Sequence, residues 1–392
     1  VSAFAKGGVM SNNHLPLVVL AAGGTGGHVY PAESLAAEML NRNYRLVLIT
    51  DCRGDAYGGV LGDLDTYRVR SSGVAGKNII AKIKSVPEIA VGVWQAHKIL
   101  SQLQPNVVIG FGGYASIPTM VAASFGSYKT AIHEQNAIFG RANRLLAPRV
   151  DRVASCFSEL EQVPNSVLNK VVESGMPVRT TIIDQRETPY PELNDNSPIH
   201  LLVLGGSQGA RVLSDVIPDA IINLPSYLKA RIHITQQCRP EDLDRVRAQY
   251  LGAKINAELS SFFTDVPEQM ARAHLIIGRS GASTVAEALV VGRPSIMVPY
   301  KYAIDDHQTK NAHAVDEAGA GWLMAEKSFT FESLSNRLEN LLSISNTLIK
   351  AAARAKASGR PDATKRLADI IEELMTQSGS NDNKLKNGRS VV

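Results

Sequence analysis

Leu17-Val18-Val19-Leu20-Ala21-Ala22-Gly23-Gly24-Thr25-Gly26-Gly27-His28 and Ile199-His200-Leu201-Leu202-Val203-Leu204-Gly205-Gly206-Ser207-Gln208-Gly209-Ala210 follow one pattern: a short, mostly apolar run that ends in a glycine-rich turn. Runs of this length, each followed by a helical pattern, indicate parallel strands covered on both faces. Further runs repeat the theme at Arg45–Thr50, Asn106–Gly110 and Thr130–His133, then at Arg231–Thr235, Leu275–Ile277 and Ser295–Pro299. The class is α/β. Between the two sets, residues 184–198 lose hydrophobicity and carry three prolines, which reads as a linker and the start of a second domain. The chain therefore divides into two nucleotide-type α/β halves that face each other.

The 392 residues accommodate two such domains, at roughly 100–200 residues each. Ordinary glycine and proline usage excludes a collagenous or low-complexity chain. Cys52, Cys156 and Cys238 are scattered without a CxxC pair, which argues against a disulfide framework or a structural zinc site and for a reducing compartment. No run approaches the roughly 18–20 apolar residues of a membrane-spanning helix. The net charge of +4 is too small for a dedicated nucleic-acid binder, yet it is uneven: residues 66–104 hold six Lys/Arg against Glu88 alone, and residues 350–392 hold nine against five acids. Residues 1–14 and the Ser/Asn/Lys-rich tail after about 375 are expected to be flexible.

A glycine turn between strand and helix lets the backbone approach a phosphate while the helix N-terminus favours its charge. The same turns also serve simply to join strand to helix tightly. Neither turn is a Walker A loop. The first departs from the dinucleotide fingerprint at Val29, although Asp51 stands where a ribose-binding acid would, so a nicotinamide-dependent dehydrogenase is an alternative. Gly110-Phe111-Gly112-Gly113-Tyr114 adds a third turn at the same sheet edge. His133-Glu134-Gln135-Asn136 ends a strand with four polar side chains, without the second His a zinc motif needs. Gln135 and Asn136 suit sugar hydroxyls because they donate and accept. In Gly278-Arg279-Ser280-Gly281-Ala282-Ser283-Thr284, Ser280 or Ser283 is expected to cap a helix that carries Glu287. Ile79, Ile80 and Ile83 share helical spacing with Lys82 and Lys84, the pattern of a surface helix or of one that docks on an anionic membrane.

The ordered set GGTGGHVYPA (23–32), GFGGYASIP (110–118), HEQNAIFGRAN (133–143), SGMPVR (174–179), LGGSQGA (204–210), GRSGASTVAE (278–287) and DDHQTKNA (305–312) closely resembles the MurG family of bacterial glycosyltransferases, over about residues 15–375. The resemblance implies a GT-B fold, two Rossmann-like domains about a cleft with the C-terminal helix crossing back to the first. The domains would be 15–180, with the helix at about 350–375, and 181–349. It implies transfer of GlcNAc from UDP-GlcNAc to the C4 hydroxyl of MurNAc in lipid I, with inversion, no cofactor and no metal. The enzyme would be peripheral on the cytoplasmic face of the inner membrane, touching an anionic membrane surface and other cell-wall synthesis proteins, and no nucleic acid.

Carried over by motif, Arg179, Ser207, Phe263, Ala282, Ser283, Thr284, Glu287 and Gln308 would hold the donor. Phe263 would frame the uracil through its backbone, Glu287 would meet the ribose and Gln308 the GlcNAc. Ser283 stands where relatives usually carry Leu, and His307 where some carry a second Gln. Thr25, Gly26 and Gly27 would cradle the acceptor diphosphate and border the donor. Tyr114, His133 and Glu134 would line the acceptor side with Asn136, which would also reach the donor sugar. His28 is the first choice of general base and Glu134 the second. A non-catalytic nucleotide-sugar-binding subunit is a further alternative.

Overall fold

The computed structural model describes residues 15–24, 26–51, 58–71, 79–194, 196–206 and 209–387, apart from the side chains of 79–86, 345 and 377–387. Thirteen strands form among them: β1 Leu17–Ala21, β2 Arg45–Thr50, β3 Asp65–Arg68, β4 Val107–Gly110, β5 Lys129–Glu134, β6 Arg152–Ser155, β7 Val171–Glu173, β8 Ile199–Leu204, β9 Ile232–Gln237, β10 Asn256–Ser260, β11 Leu275–Gly278, β12 Ser295–Met297 and β13 Gly321–Leu323. They build two parallel sheets, ordered β3-β2-β1-β4-β5-β6-β7 and β10-β9-β8-β11-β12-β13. In each, the order reverses beside the strand that precedes a glycine-rich turn, β1 or β8. Open α/β sheets bind ligands at that reversal, on the carboxyl edge.

The apolar runs are continuous because both faces of each strand are covered. From β1, Val18 and Leu20 pack with Leu35, Met39 and Phe111, while Leu17, Val19 and Ala21 pack with Leu100, Met120 and Phe139 on the opposite face. In β8, Leu201 and Val203 join Ile217 and Leu338, and Leu202 and Leu204 join Val285 and Val290. A one-residue slip of either strand would exchange its two faces.

The low-hydrophobicity stretch near the midpoint is lashed to the second lobe. Arg293, almost wholly buried, donates to the carbonyls of Pro189 (3.0 Å) and Ala271 (2.6 Å), and Arg186 donates to those of Val290 and Lys356. Carbonyl partners are what allow a guanidinium to be buried without an acid beside it. The helix Ser345–Ser358 still belongs to the second lobe through Ala355. The return begins after Gly359, where Ala363–Asn387 lays Leu367, Ile371 and Leu374 into the first core. Arg42 clasps this helix through Asp369 and Glu372, each at 2.7 Å. Its backbone stays helical to Asn387, past the point where composition suggests a flexible tail.

Candidate active site

A cavity of about 220 Å³ opens where the carboxyl edges of the two sheets meet. The first lobe contributes His28, Gly112 to Tyr114 and the segment after β5; the second contributes Ile304, Asp305 and His307. The turn after β4 passes through φ of +78° at Gly112 and +69° at Gly113. A Cβ on Gly113 would stand 3.1 Å from the His28 ring, so glycine is what lets the imidazole lie against the turn. His28 sits in the first turn of the helix Gly26–Asn41, partly exposed, with its Nδ1 buried and without a hydrogen-bond partner. Burial pushes its pKa below the ordinary histidine value, so the ring is neutral near pH 7.

Glu134 organises the loop that follows it. Its carboxylate accepts from the backbone N–H groups of Asn136 (3.0 Å) and Gly140 (2.8 Å) and from Asn143 Nδ2 (2.8 Å). Burial raises its pKa, and these donors act in the opposite direction. Gln135 turns inward, where its Nε2 donates to the Phe111 carbonyl at 2.8 Å.

Several contacts cross the cleft. Asn311 of the helix His307–Glu317 bonds the backbone of Ala137 and the side chain of Asn136. Asp305 receives Arg141 and Arg144, each at 2.5 Å, and Lys310 reaches Glu161 at 2.7 Å. Arg179 lies over the Tyr30 ring at 5.0 Å while pairing with Glu287 at 3.1 Å, and its Nε is buried without a partner. Glu287 is buried and its pKa is raised by that burial, against the pull of Arg179. Around it, the carboxyl edge of the second sheet carries Gly205 and Gly206 after β8, Phe263 after β10, the helix Ala282–Val291 after β11 and Gln308 beyond β12. This edge offers a helix N-terminus, an arginine with a spare donor and a carboxylate, a set suited to an anionic, hydroxyl-bearing ligand.

Residues 18–155 match the glycosyltransferase family 28 N-terminal domain and residues 200–373 its C-terminal domain. The chain is 54% identical over 366 residues to a Paramagnetospirillum magneticum protein, covering 93% of this chain and 99% of that one. It is 50% identical to a Rhodospirillum rubrum protein, covering 90% and 91%. Both are named UDP-N-acetylglucosamine--N-acetylmuramyl-(pentapeptide) pyrophosphoryl-undecaprenol N-acetylglucosamine transferase. The crystal structure of Acinetobacter baumannii MurG superposes with a TM-score of 0.72 at 27% identity, covering 91% of this chain and 99% of that one. The chain belongs to the MurG family.

The fold is accordingly GT-B, and a dinucleotide-binding dehydrogenase is set aside: Asp51 is wholly buried and accepts from Ser71 Oγ at 2.9 Å. Of the residues singled out by MurG-family motifs, His28, Tyr114, Glu134 and Asn136 line the cavity together. His133 does not. Its ring is wholly buried between Phe111 (5.7 Å between centroids), the Gly175 carbonyl and Cys156, so it supports the cleft floor from beneath. Phe263, Ala282, Ser283, Thr284, Glu287 and Gln308 lie outside the cavity, on the second-lobe edge, and Arg179 meets that edge at Glu287. The capping expectation for the Ala282 helix is corrected: its N-cap is Gly281 with no side-chain cap, Ser280 Oγ donates to the Gln308 carbonyl at 2.7 Å, and Ser283 Oγ is buried without a partner. Gly26 and Gly27 open the His28 helix. Thr25 and Ser207 lie outside the described residues, as do the side chains of Ile79, Ile80, Lys82, Ile83 and Lys84. Reading from sequence passed over Asn311, Asp305, Arg141 and Tyr30; the first two stand inside the quoted DDHQTKNA motif.

Proposed function

We infer that the chain is a hexosyltransferase that moves GlcNAc from UDP-GlcNAc to lipid I in peptidoglycan synthesis. The observation that carries this is 54% identity across 93% of the chain to an enzyme of that name. The cleft is consistent with the chemistry. Direct transfer with inversion at the anomeric carbon needs an acceptor hydroxyl, here the MurNAc C4 hydroxyl, a base for its proton and stabilisation of the departing diphosphate.

His28 is the base we propose. It borders the cavity and burial keeps it unprotonated. Glu134 is the weaker choice because its oxygens already accept three N–H groups at 2.8–3.0 Å. The donor is assigned to the second lobe, residues 181–349. Its diphosphate would meet the first turn of the Ala282 helix with Ser283 and Thr284, the Ser207 turn and Arg179; its uracil would lie by Phe263, its ribose by Glu287 and its sugar by Gln308. The acceptor is assigned to the first lobe, residues 15–180, with Thr25 to Gly27 at its diphosphate and Tyr114 and Asn136 beside the sugar. The free Arg179 Nε and the helix N–H groups act as fixed dipoles ready for growing negative charge.

No helix among the described residues is long and apolar enough to cross a membrane. We propose peripheral docking on the cytoplasmic face through the first lobe. The helix Ile79–Leu103 begins with the Ile/Lys stretch and exposes Trp94 farther along, and Phe125 and Leu145 are exposed on the same lobe. Each basic residue near an anionic surface contributes about 1 kcal/mol. Lys82→Glu with Lys84→Glu should weaken binding to anionic vesicles while leaving turnover of a soluble acceptor intact; unchanged vesicle binding removes the claim. The activity is tested by UDP release and product analysis with UDP-GlcNAc and a lipid I analogue, using the purified single chain. Formation of the GlcNAc-bearing product is expected. Transfer only after a second protein is added would favour the binding-subunit alternative.

A further inference from the structure

Asn311 stands one turn inside the helix His307–Glu317, on the face shared with His307 and Gln308. Its side chain is wholly buried, and each half of its amide is engaged. The Oδ1 accepts from the Ala137 N–H at 2.9 Å; the Nδ2 donates to Asn136 Oδ1 and to the Ser280 carbonyl, both at 3.1 Å. Only this orientation works. Turned over, the amide would set its N–H groups against the Ala137 N–H and its oxygen against the Ser280 carbonyl, leaving buried groups unpaired.

The fixed amide in turn fixes its neighbour. With Asn136 Oδ1 held by Asn311, the Asn136 Nδ2 is left with one long contact, 3.5 Å to Glu134 Oε1, while the residue borders the cavity. Asn136 therefore offers the cleft an N–H and will favour a ligand oxygen acting as acceptor, such as a sugar hydroxyl or an acetamido carbonyl. Asn136 belongs to the first lobe. Asn311 and Ser280 belong to the second, and Ser280 also bonds the backbone of Gln308.

We propose that Asn311 is a positioning residue that makes Asn136 a hydrogen-bond donor toward the sugars, and does so only while the two lobes are joined. The proposal rests on the transferase reading above and adds a coupling between the acceptor-side loop and the donor-side helix. It predicts that the two asparagines act as one unit.

The test is a double-mutant cycle on the full chain, with UDP-GlcNAc and a soluble lipid I analogue. Asn136→Ala and Asn311→Ala should each lower kcat/KM by about tenfold or more, the loss expected of one hydrogen bond. The double variant should fall no further than the worse single variant. Asn311→Asp keeps the shape but sets an acceptor against Asn136 Oδ1, so it should be at least as damaging as Asn311→Ala and equally non-additive with Asn136→Ala. Amide exchange gives a second readout: Ala137 should exchange faster in Asn311→Ala, whereas Gly140, bonded within its own lobe, should not. Losses that multiply in the double variant, or Ala137 protection unchanged in Asn311→Ala, would overturn the proposal. The cycle is also read as UDP-GlcNAc affinity, which needs no turnover. A wild-type chain that transferred nothing would count against the transferase reading, while multiplicative losses in donor affinity would still count against the asparagine pair.

Discussion

Acid should destabilise this protein through His133, and the size of the effect follows from where the ring sits. Burial pushes its pKa to about 4, against 6.5 for a free histidine. The sign is fixed by linkage: the unfolded chain takes up a proton below pH 6.5, and the folded one refuses it until about pH 4. Stability is therefore complete above 6.5 and is lost as pH falls through that window. The two pKa values give a loss of about 2 kcal/mol between pH 7.5 and 5.0, and about 3 kcal/mol once both states are protonated. His133→Gln keeps a polar side chain but removes the titration. Urea unfolding at both pH values, followed in a Trp322→Phe background so that Trp94 reports on the first lobe, should show wild type losing about 2 kcal/mol more than His133→Gln. Groups remote from the ring titrate alike in both chains and cancel. Equal pH dependence would refute the reasoning. So would a direct NMR titration that placed the ring near 6.5, as expected of a solvated side chain lining the acceptor cleft.

Three further outcomes follow from the site. His28→Gln should lower kcat by about a hundredfold or more, and the acid limb of the wild-type kcat/KM profile should fall below pH 6.5 because burial lowers the pKa of the base; near-normal turnover of the variant would exclude it as the base. Glu287→Gln should reduce UDP-GlcNAc affinity about tenfold by calorimetry, the worth of a charge-assisted bond to a hydroxyl, with little change in the affinity of a 2′,3′-dideoxy donor; equal losses for both donors would separate Glu287 from the ribose. Asp305→Asn should release Arg141 and Arg144 while tolerating the φ of +54° at that position. Both pairs are open to solvent on the arginine side, so each is weak and screened by salt; the shift toward an open cleft, read by energy transfer between labels on the two lobes, should vanish in 1 M salt. A salt-independent shift would contradict the ion-pair account.

The central strands are legible because burial on both faces removes polar residues from them: β2 and β8 begin and end where the apolar runs do. The edges are not. Asp65–Arg68 and Asn256–Ser260 bury none of their residues fully and carry charges or amides, so hydrophobicity gives no sign of them; they form because a neighbouring strand supplies the backbone partners. Glycine turns and strand-end polar clusters point to the cleft because open parallel sheets place their ligands there. What the residue order conceals is direction. His133 and Glu134 adjoin in sequence, yet alternation along β5 sends the imidazole into the core beneath Phe111 and the carboxylate toward the loop. Asn311 shows the reverse case. It lies 175 residues from Asn136, and only the approach of the two lobes makes the pair.

A structure of the chain with UDP-GlcNAc tests the central claim most directly. The nucleotide should lie along the carboxyl edge of the β8–β13 sheet, with its diphosphate at the N-terminus of the helix Ala282–Val291, its ribose at Glu287, and its sugar directed into the cleft toward His28 and Asn136. Density for the nucleotide at the β1 turn of the first lobe, with the second-lobe edge empty, would contradict the account.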